Sequence, residues 1–555
     1  MFSAPKNIFI LFFISSLIYA QSDLIPVENK VYSFLKRMQV QGVVPSYDDI
    51  VIPKSRNEIR RYLSLIEKSE LTRIDLATVK YYLTTISNLS KDGLSATGEK
   101  RIHAGEHLAS DNENYFYFYS DSLLNFSVQP ILSWNYLTSN QENHKGATHY
   151  FTFGGKLKLN YKNFLSFNIE GWNGTQYGNR ETAKLDRRIA QSFTFNDTEL
   201  NNFDGTSGFV NFEKGIFSLR IARERVLWGN SSVNRATFSE TPQLFDHAAM
   251  SIQYKSFRYD FIFGWLVMPT NSFFVNDTVG NIKRKPSKYI AVSRLGFNPG
   301  KRVKLGVTQK ILFSNRPIEA AYFLPFIYWE SAQRSMGDLD NSFLELDARW
   351  LITNGMELYA NINFDDLNFD FYKSSEWNTI RNRMAWQAGF NFASPLLPDG
   401  MSAAVDYMQI RPFTFSHPEI GEALAYTNNG YPLGVNVQPN STLFTFAVDY
   451  TFTPKITAQI RYDNYLHGAN EYNENGEVIR NVGGSYFLSY NLLIPESAYL
   501  LDGILEVRNI YTLKFMYRFS YNLGIEFQFN HLREEIRNKR KQSNTFHLQL
   551  GYAFL

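Results

Sequence analysis

Between residues 28 and 90 apolar side chains return every three or four positions, and after Asn114 they return every second position to the chain end. The first period is that of an amphipathic helix, the second that of a strand with two unlike faces. Three short helices are predicted, on the stripes Val31, Phe34, Leu35 and Met38, then Ile59, Tyr62, Leu63 and Ile66, then Leu76, Val79, Leu83 and Ile86. Ser55 with Glu58, and Thr72 with Asp75, stand in capping-box spacing before the second and third, where each side chain can satisfy the other residue's free amide. One apolar stripe per helix demands a neighbour, either a sister helix or a barrel.

The alternation is explicit in Leu124, Phe126, Val128, Pro130, Leu132, Trp134 and Tyr136, which share one face against Asn125, Ser127, Gln129, Ser133 and Asn135. Leu344, Leu346, Ala348 and Trp350 repeat it against Glu345, Asp347 and Arg349, and Phe444 to Phe452 against Asp449. About sixteen to twenty such segments of roughly 9 to 13 residues follow one another, the length a tilted strand needs to cross a bilayer. A soluble sandwich would bury the aromatic face, whereas an outer-membrane barrel would turn it to lipid and line its lumen with the charged one. Period does not choose between them; three other features favour the barrel. Residues 1 to 20 carry Lys6, an apolar run from Ile8 to Ile18 and a terminal Ala20, the order of a secretory signal peptide. The chain holds 47 Phe, 34 Tyr and 8 Trp. Its last segment alternates Phe546, Leu548, Leu550, Tyr552 and Phe554 with smaller or polar residues, which is similar to an outer-membrane insertion signal.

Composition narrows the classes further. The 555 residues contain no cysteine and carry a formal net charge of +3, which removes disulfide scaffolds and thiolate sites and gives no basic footprint for nucleic acid. Only one long apolar run is present, so the chain is not a bundle of spanning helices.

Residues 24 to 63, with LIPVENKVYSFLKRMQVQGVV and PKSRNEIRRYL, and residues 222 to 246, ARERVLWGNSSVNRATFSETPQLFD, resemble segments of the capsule assembly protein family, Wzi. Residues 318 to 366, with IEAAYFLPFIYW, GDLDNSFLELDARW and GMELYANINFDDL, and residues 407 to 434, with YMQIRPFTFSHPEIGEALAYTNNGYPLG, resemble it in the same order. Asn230-Ser231 stands where relatives often carry a Pro-Gly or Gly-Gly pair. The resemblance implies an all-β antiparallel transmembrane barrel of about eighteen strands with a small N-terminal α-helical domain at the periplasmic mouth, monomeric in the cell outer membrane. The corresponding division is 1–20 signal peptide, 21–110 periplasmic helical domain and 115–555 barrel. The resemblance further implies a surface lectin that holds capsular or other exported polysaccharide, with outer-membrane lipid as its second partner. The helical segment is also similar, more distantly, to the surface-layer-homology module, which would tether it to peptidoglycan.

Sugar sites combine aromatic faces for ring C–H surface with Arg, Asn and Asp for hydroxyls and carboxylates. Two polar stretches carry that mixture: Arg223, Arg225, Trp228, Asn230 and Arg235, and then Trp329, Arg334, Asp338, Asp340 and Asn341. These ten are the expected ligand contacts, and a third loop with Phe273, Phe274, Asn276 and Asp277 is of the same character. The loop with Phe413, Phe415 and His417 is read as a possible inward constriction. No Gly-x-Ser-x-Gly, His-Glu-x-x-His or Walker motif is present, so no catalytic, cofactor or metal residue is assigned. The Asp338-x-Asp340-Asn341 group could hold calcium, yet its spacing misses the hand-type loop. Asp365 and Asp366 would point to opposite faces if their strand continued, and a strand-end turn is the expected setting of the pair. A porin-like transport channel is the alternative function, since a wide polar lumen suits both.

Overall fold

The computed structural model describes residues 22–87, 99–102, 115–268, 287–366 and 382–552 apart from short internal gaps, together with the short pairs 275–276 and 283–284. The signal segment 1–20 and the loop carrying Phe273, Phe274 and Asp277 lie outside the described residues.

Eighteen antiparallel strands form a closed barrel. In chain order they are β1 (Leu124–Ser139), β2 (Gly146–Tyr161), β3 (Leu165–Gly178), β4 (Asn201–Lys214), β5 (Phe217–Glu224) and β6 (Phe245–Tyr254). Next come β7 (Phe257–Leu266), β8 (Lys288–Phe297), β9 (Val303–Ser314), β10 (Asn341–Thr353), β11 (Met356–Asp366) and β12 (Arg383–Ala393). The wall is completed by β13 (Met401–Ile410), β14 (Ser441–Thr453), β15 (Ile456–Ala469), β16 (Ile504–Arg518), β17 (Leu523–Ile536) and β18 (Lys539–Tyr552). The barrel closes between β18 and β1, with Leu548 opposite Tyr136 and Leu550 opposite Trp134. Closure leaves no wall edge to be satisfied by water.

The two faces are inverted relative to a soluble protein. Ile221, Leu295, Val307, Trp350 and Ile460 are 67, 53, 48, 50 and 60% exposed, while Arg294, Glu345, Arg349 and Glu357 are 2, 2, 1 and 1% exposed. A sandwich would show the opposite, so the alternation is that of a barrel with an apolar exterior and an ionic interior. The expected lumen pair forms between Arg461 and Asp463 at 2.7 Å. Asp365 and Asp366 lie at the described end of β11, as expected. A register shift after Phe364 lets both reach Arg383, at 3.6 and 3.2 Å, because a bulge cancels the alternation of neighbouring side chains.

Short turns join β6 to β7 at Lys255–Ser256 and β10 to β11 at Asn354–Gly355 at one end, and the long segments 225–244, 411–440 and 470–503 join β5 to β6, β13 to β14 and β15 to β16 at the other. The short-turn end is the periplasmic one in barrels of this kind. Three helices precede the wall, α1 (Val31–Val40), α2 (Arg56–Ile66) and α3 (Arg73–Ser87). Ser55 caps α2 by accepting from the Glu58 amide at 3.2 Å, and Thr72 accepts from the Asp75 amide at 3.2 Å. Their stripes bury Leu35, Met38, Ile59, Leu63, Val79 and Ile86 in one core. Leu76 is 36% exposed, off the stripe it was expected to join. The helices meet the wall at the short-turn end, where the Gly355 amide donates to the Val40 carbonyl at 2.7 Å.

Candidate functional site

Two segments enter the lumen, one from each end. From the helical side, residues 42–55 rise into the barrel; from the long-loop side, residues 225–244 descend. They meet as a two-stranded ribbon in which Val51 pairs with Trp228 and Ile52 with Leu227. The Gly229 amide also donates to the Ile50 carbonyl at 2.9 Å. Trp228 packs edge-on against Phe238 with ring centroids 6.2 Å apart. Both rings lie in an apolar cluster with Ile50, Val226, Phe415 and Tyr426.

Asp49 is the electrostatic centre of this junction. Arg349 of β10 donates to its carboxylate at 2.5 Å, Arg235 of the descending loop lies at 3.4 Å and Lys36 of α1 at 3.9 Å. Burial opposes its ionisation, but Arg349, Lys36 and Arg235 together hold the carboxyl well below the usual carboxylate range. Lys36 also pairs with Glu357 of β11, to which Gln39 donates at 2.6 Å. Arg349 spends its remaining hydrogens on the Asn230 side chain at 3.1 Å and the Asn230 carbonyl at 2.6 Å. Further across, Asn234 donates to Asp406 and Thr445, each at 2.9 Å, and Arg461 donates to Asn234 at 2.8 Å. The loop is thereby stitched to β10, β13, β14 and β15.

A second long segment closes the top. Phe413 and Phe415 adopt left-handed φ of 63 and 68° and are buried in the lumen, and the Phe413 amide donates to the Gly483 carbonyl at 3.0 Å. Gly483 itself has φ +73, and a Cβ there would stand 2.4 Å from the Phe413 nitrogen, so only glycine suits the crossing. The inward constriction expected of this loop is present. Beneath it, Trp386, Met408, Phe415, Tyr426 and Tyr486 bound a void of about 20 Å³, room for one water.

The ten expected contact residues therefore part company. Trp228 and Asn230 are 1% exposed, Arg235 donates to the Asp49 carbonyl at 2.8 Å, and Arg225 turns inward to Glu28 at 2.7 Å; these four belong to the lumen plug. Arg223 faces outward and pairs with Asp246 at 2.9 Å. Trp329 is buried against the outside of the wall, and Arg334 is exposed and paired with Glu330 at 2.9 Å. Asp340 accepts from the Tyr322 hydroxyl at 2.5 Å and pairs with Arg316, while Asn341 turns to the lumen and donates to the Leu424 carbonyl at 2.9 Å. Asp338 lies outside the described residues. Asp340 and Asn341 thus point to opposite sides of the wall and do not form one calcium cradle. Among the described residues no group of three or more His, Asp or Glu is arranged to hold a metal.

An accessible cleft lies in a segment that the residue pattern did not single out. In the 470–503 segment, a hairpin pairs Glu471 with Arg480 and leaves an open cleft of about 620 Å³ bounded by Arg480, Val482, Ser497, Tyr499 and Asp502. Arg480 is spread flat between Glu471 at 3.0 Å and Asp502 at 2.8 Å. Tyr499 is 55% exposed. Asn440 anchors the cleft floor, donating to the Asp502 carbonyl at 3.0 Å and accepting from the Leu501 amide at 2.6 Å. The available signal was length: alternation stops at Ala469 and resumes only at Ile504.

No protein-family model and no curated protein matches the chain. Among solved structures, it is similar to Wzi of Escherichia coli, described as a carbohydrate-binding β-barrel involved in group 1 capsule assembly. The TM-score is 0.55 with 11% sequence identity, over 95% of this chain and 99% of that one. The protein is an outer-membrane β-barrel. More distant similarity extends to OprD of Pseudomonas aeruginosa (TM-score 0.41, 11% identity, 77 and 94% of the chains). It also extends to OccAB2 of Acinetobacter baumannii (0.44, 10%, 79 and 100%). The Wzi likeness extends over the helices as well as the wall, and at this identity it is a likeness of fold.

Proposed function

We propose that the protein binds exported or capsular polysaccharide at the cell surface, lectin-like and without catalysis, and helps attach or assemble it there. The observation that carries this reading is the combination of a lumen stitched shut at Asp49, Arg349 and Trp228 with a roomy polar cleft left open on the long-loop side. A barrel whose lumen carries this plug and which keeps a cleft outside is read as having its chemistry at the surface. Tyr499 offers a ring face to pyranose C–H groups, and the Arg480–Asp502 plane offers fixed donors and acceptors to adjacent hydroxyls. Because Arg480 is already shared by two carboxylates, the site suits hydroxyl-rich neutral sugars better than uronates. The carbohydrate binding ascribed to Wzi agrees in kind. The helical region at the periplasmic mouth is the part open to cell-wall polymer. The test is glycan-array or surface-plasmon binding of the detergent-solubilised protein, with Tyr499→Ala and Arg480→Gln. Each is expected to weaken oligosaccharide binding at least tenfold with an unchanged melting temperature; unchanged affinity in both sinks the assignment. The alternative, a transport channel, is favoured if the wild-type protein passes steady current in a planar bilayer.

A further inference from the structure

The segment 315–340 connects β9 to β10 at the long-loop end, yet it does not stand up from the barrel. Six outward-facing side chains of β7 to β9, Tyr259, Phe261, Phe263, Ala291, Ile311 and Phe313, are between 0 and 8% exposed. Their neighbours lower on the same faces, Leu295, Leu305 and Val307, are 53, 42 and 48% exposed. The cover comes from this segment: Tyr322 and Trp329 join the buried cluster, Phe323 stacks on Phe263 at 4.1 Å and Phe326 rests on Tyr259 at 4.7 Å. Gln309 explains how it is fastened. It is a polar residue in the outward row of β9, and its amide donates to the Ile327 carbonyl at 2.8 Å and accepts from the Trp329 amide at 3.1 Å.

Depth follows from register. Tyr259 is the third residue of β7, counted from the short turn at Lys255–Ser256. Seven residues separate it from Leu266, about 23 Å along a strand and roughly 18 Å of depth at the usual tilt, out of an apolar band of about 25 Å. The segment therefore runs down most of the lipid-facing height of the wall. Its composition is graded to match. Residues 320–329, AAYFLPFIYW, carry no charge, while Arg316, Glu319, Glu330 and Arg334 flank them. Leu324, Phe326, Tyr328 and Leu339 are 55, 72, 58 and 55% exposed on its far side. Peptide groups here have internal partners, as hydrocarbon requires: the Leu324 carbonyl accepts from the Trp329 indole at 3.2 Å, and the Leu324 amide donates to the Ala321 carbonyl at 3.2 Å.

We propose that 315–340 is a strap immersed in the bilayer, so that over β7 to β9 the surface touching lipid acyl chains is Leu324, Phe326 and Tyr328 and not the strands. The occupant is hydrocarbon because the bare wall on either side continues the same apolar band and because charge is confined to the strap's two flanks.

The absence of cysteine makes the test direct. Phe326→Cys, and separately Tyr328→Cys, is labelled with a polarity-sensitive fluorophore on the full chain in phosphatidylcholine vesicles containing brominated acyl chains. Val307→Cys, on the bare wall, and Glu474→Cys, at the exposed hairpin turn, are the references. Heat-modifiable gel mobility checks folding of each. Quenching within twofold of Val307→Cys, with blue-shifted emission and no reaction with a membrane-impermeant maleimide, is expected. Behaviour like Glu474→Cys overturns the proposal. So does label self-quenching that persists when protein is diluted in lipid, since a second copy would then occupy the surface.

Discussion

Replacing Asp49 with Asn tests whether the two halves of the plug are joined by charge. The carboxylate sits 2.5 Å from Arg349, which is itself 1% exposed, and losing it leaves a buried guanidinium facing a neutral amide. Breaking a buried pair in this way costs about 3 to 5 kcal/mol. Arg349 keeps its two bonds to Asn230, so the lower end of that range applies. The effect should fall on the seam between residues 47–52 and 227–235 more than on the wall, whose strand pairing does not involve Asp49. Asp49→Asn is expected to lower the denaturant midpoint of plug release and to raise bilayer conductance from near zero to intermittent openings. The cycle with Arg349→Met isolates the pair: a coupling of at least about 1.5 kcal/mol is expected, since residues in one network are non-additive. The pH dependence has a fixed sign. A carboxyl held below its ordinary value contributes stability above the unfolded pKa and loses it only as pH falls through the lower, folded value. The seam should therefore be unchanged between pH 8 and 5 and weaken only in strong acid. Identical stability, conductance and acid response in wild type and Asp49→Asn would refute the electrostatic account.

Other outcomes follow from the same geometry. Trp228→Ala removes a buried ring from the ribbon and should cost about 3 to 5 kcal/mol, read by thermal melting in detergent; an unchanged melt would mean that the indole is a surface contact after all. Gly483→Ala forces a left-handed φ and a 2.4 Å approach to Phe413, and a loss of about 1 to 3 kcal/mol should appear together with protease cleavage near residue 413. Val307→Arg places a cation on the lipid face, at a cost of about 2 to 4 kcal/mol near the midplane, measured by refolding into vesicles across a urea series.

Much of the wall was legible because each strand's two faces meet different solvents, and a period of two survives any detail of register. The helical stripes and the caps at Ser55 and Thr72 were legible for the same local reason. Loops were not. The chemistry of Arg223 to Arg235 reads as a polar surface stretch, and the mixture of Trp, Arg and Asn that suits a sugar suits an ionic lumen equally well. What separates the two is the partner, and Asp49 and Arg349 lie 186 and 114 residues from Arg235. Likewise Trp329 in the apolar run at 320–329 has the character of a sugar contact, but Gln309 beneath it fastens the run to the outside of the wall. The departure at Asn230-Ser231 has a local reason: Asn230 supplies a side-chain oxygen to Arg349 at 3.1 Å and Ser231 meets the Tyr359 hydroxyl at 3.1 Å, bonds that a glycine pair could not make.

The polarity of the plug is itself a consequence of the wall. Once lipid claims the apolar face of every strand, alternation leaves Glu345, Asp347, Arg349, Glu357 and Asp406 pointing into the barrel; Asp347 is answered within the wall by Arg294, but an apolar insert would take from Arg349 and Glu357 their charged partners Asp49 and Lys36 at a cost of several kcal/mol. The insert must answer the wall with polar and charged groups, and it does so from two distant parts of the chain: Lys36, Gln39 and Asp49 from the helical side, Asn234 and Thr237 from the loop side. Neither part alone matches the wall, because Glu357 is met by the first and Asp406 and Glu345 by the second. Closure is thus a joint property of both ends, and a ligand that reorganised the 225–244 loop from outside would pull directly on Val51 and Ile52 beneath it.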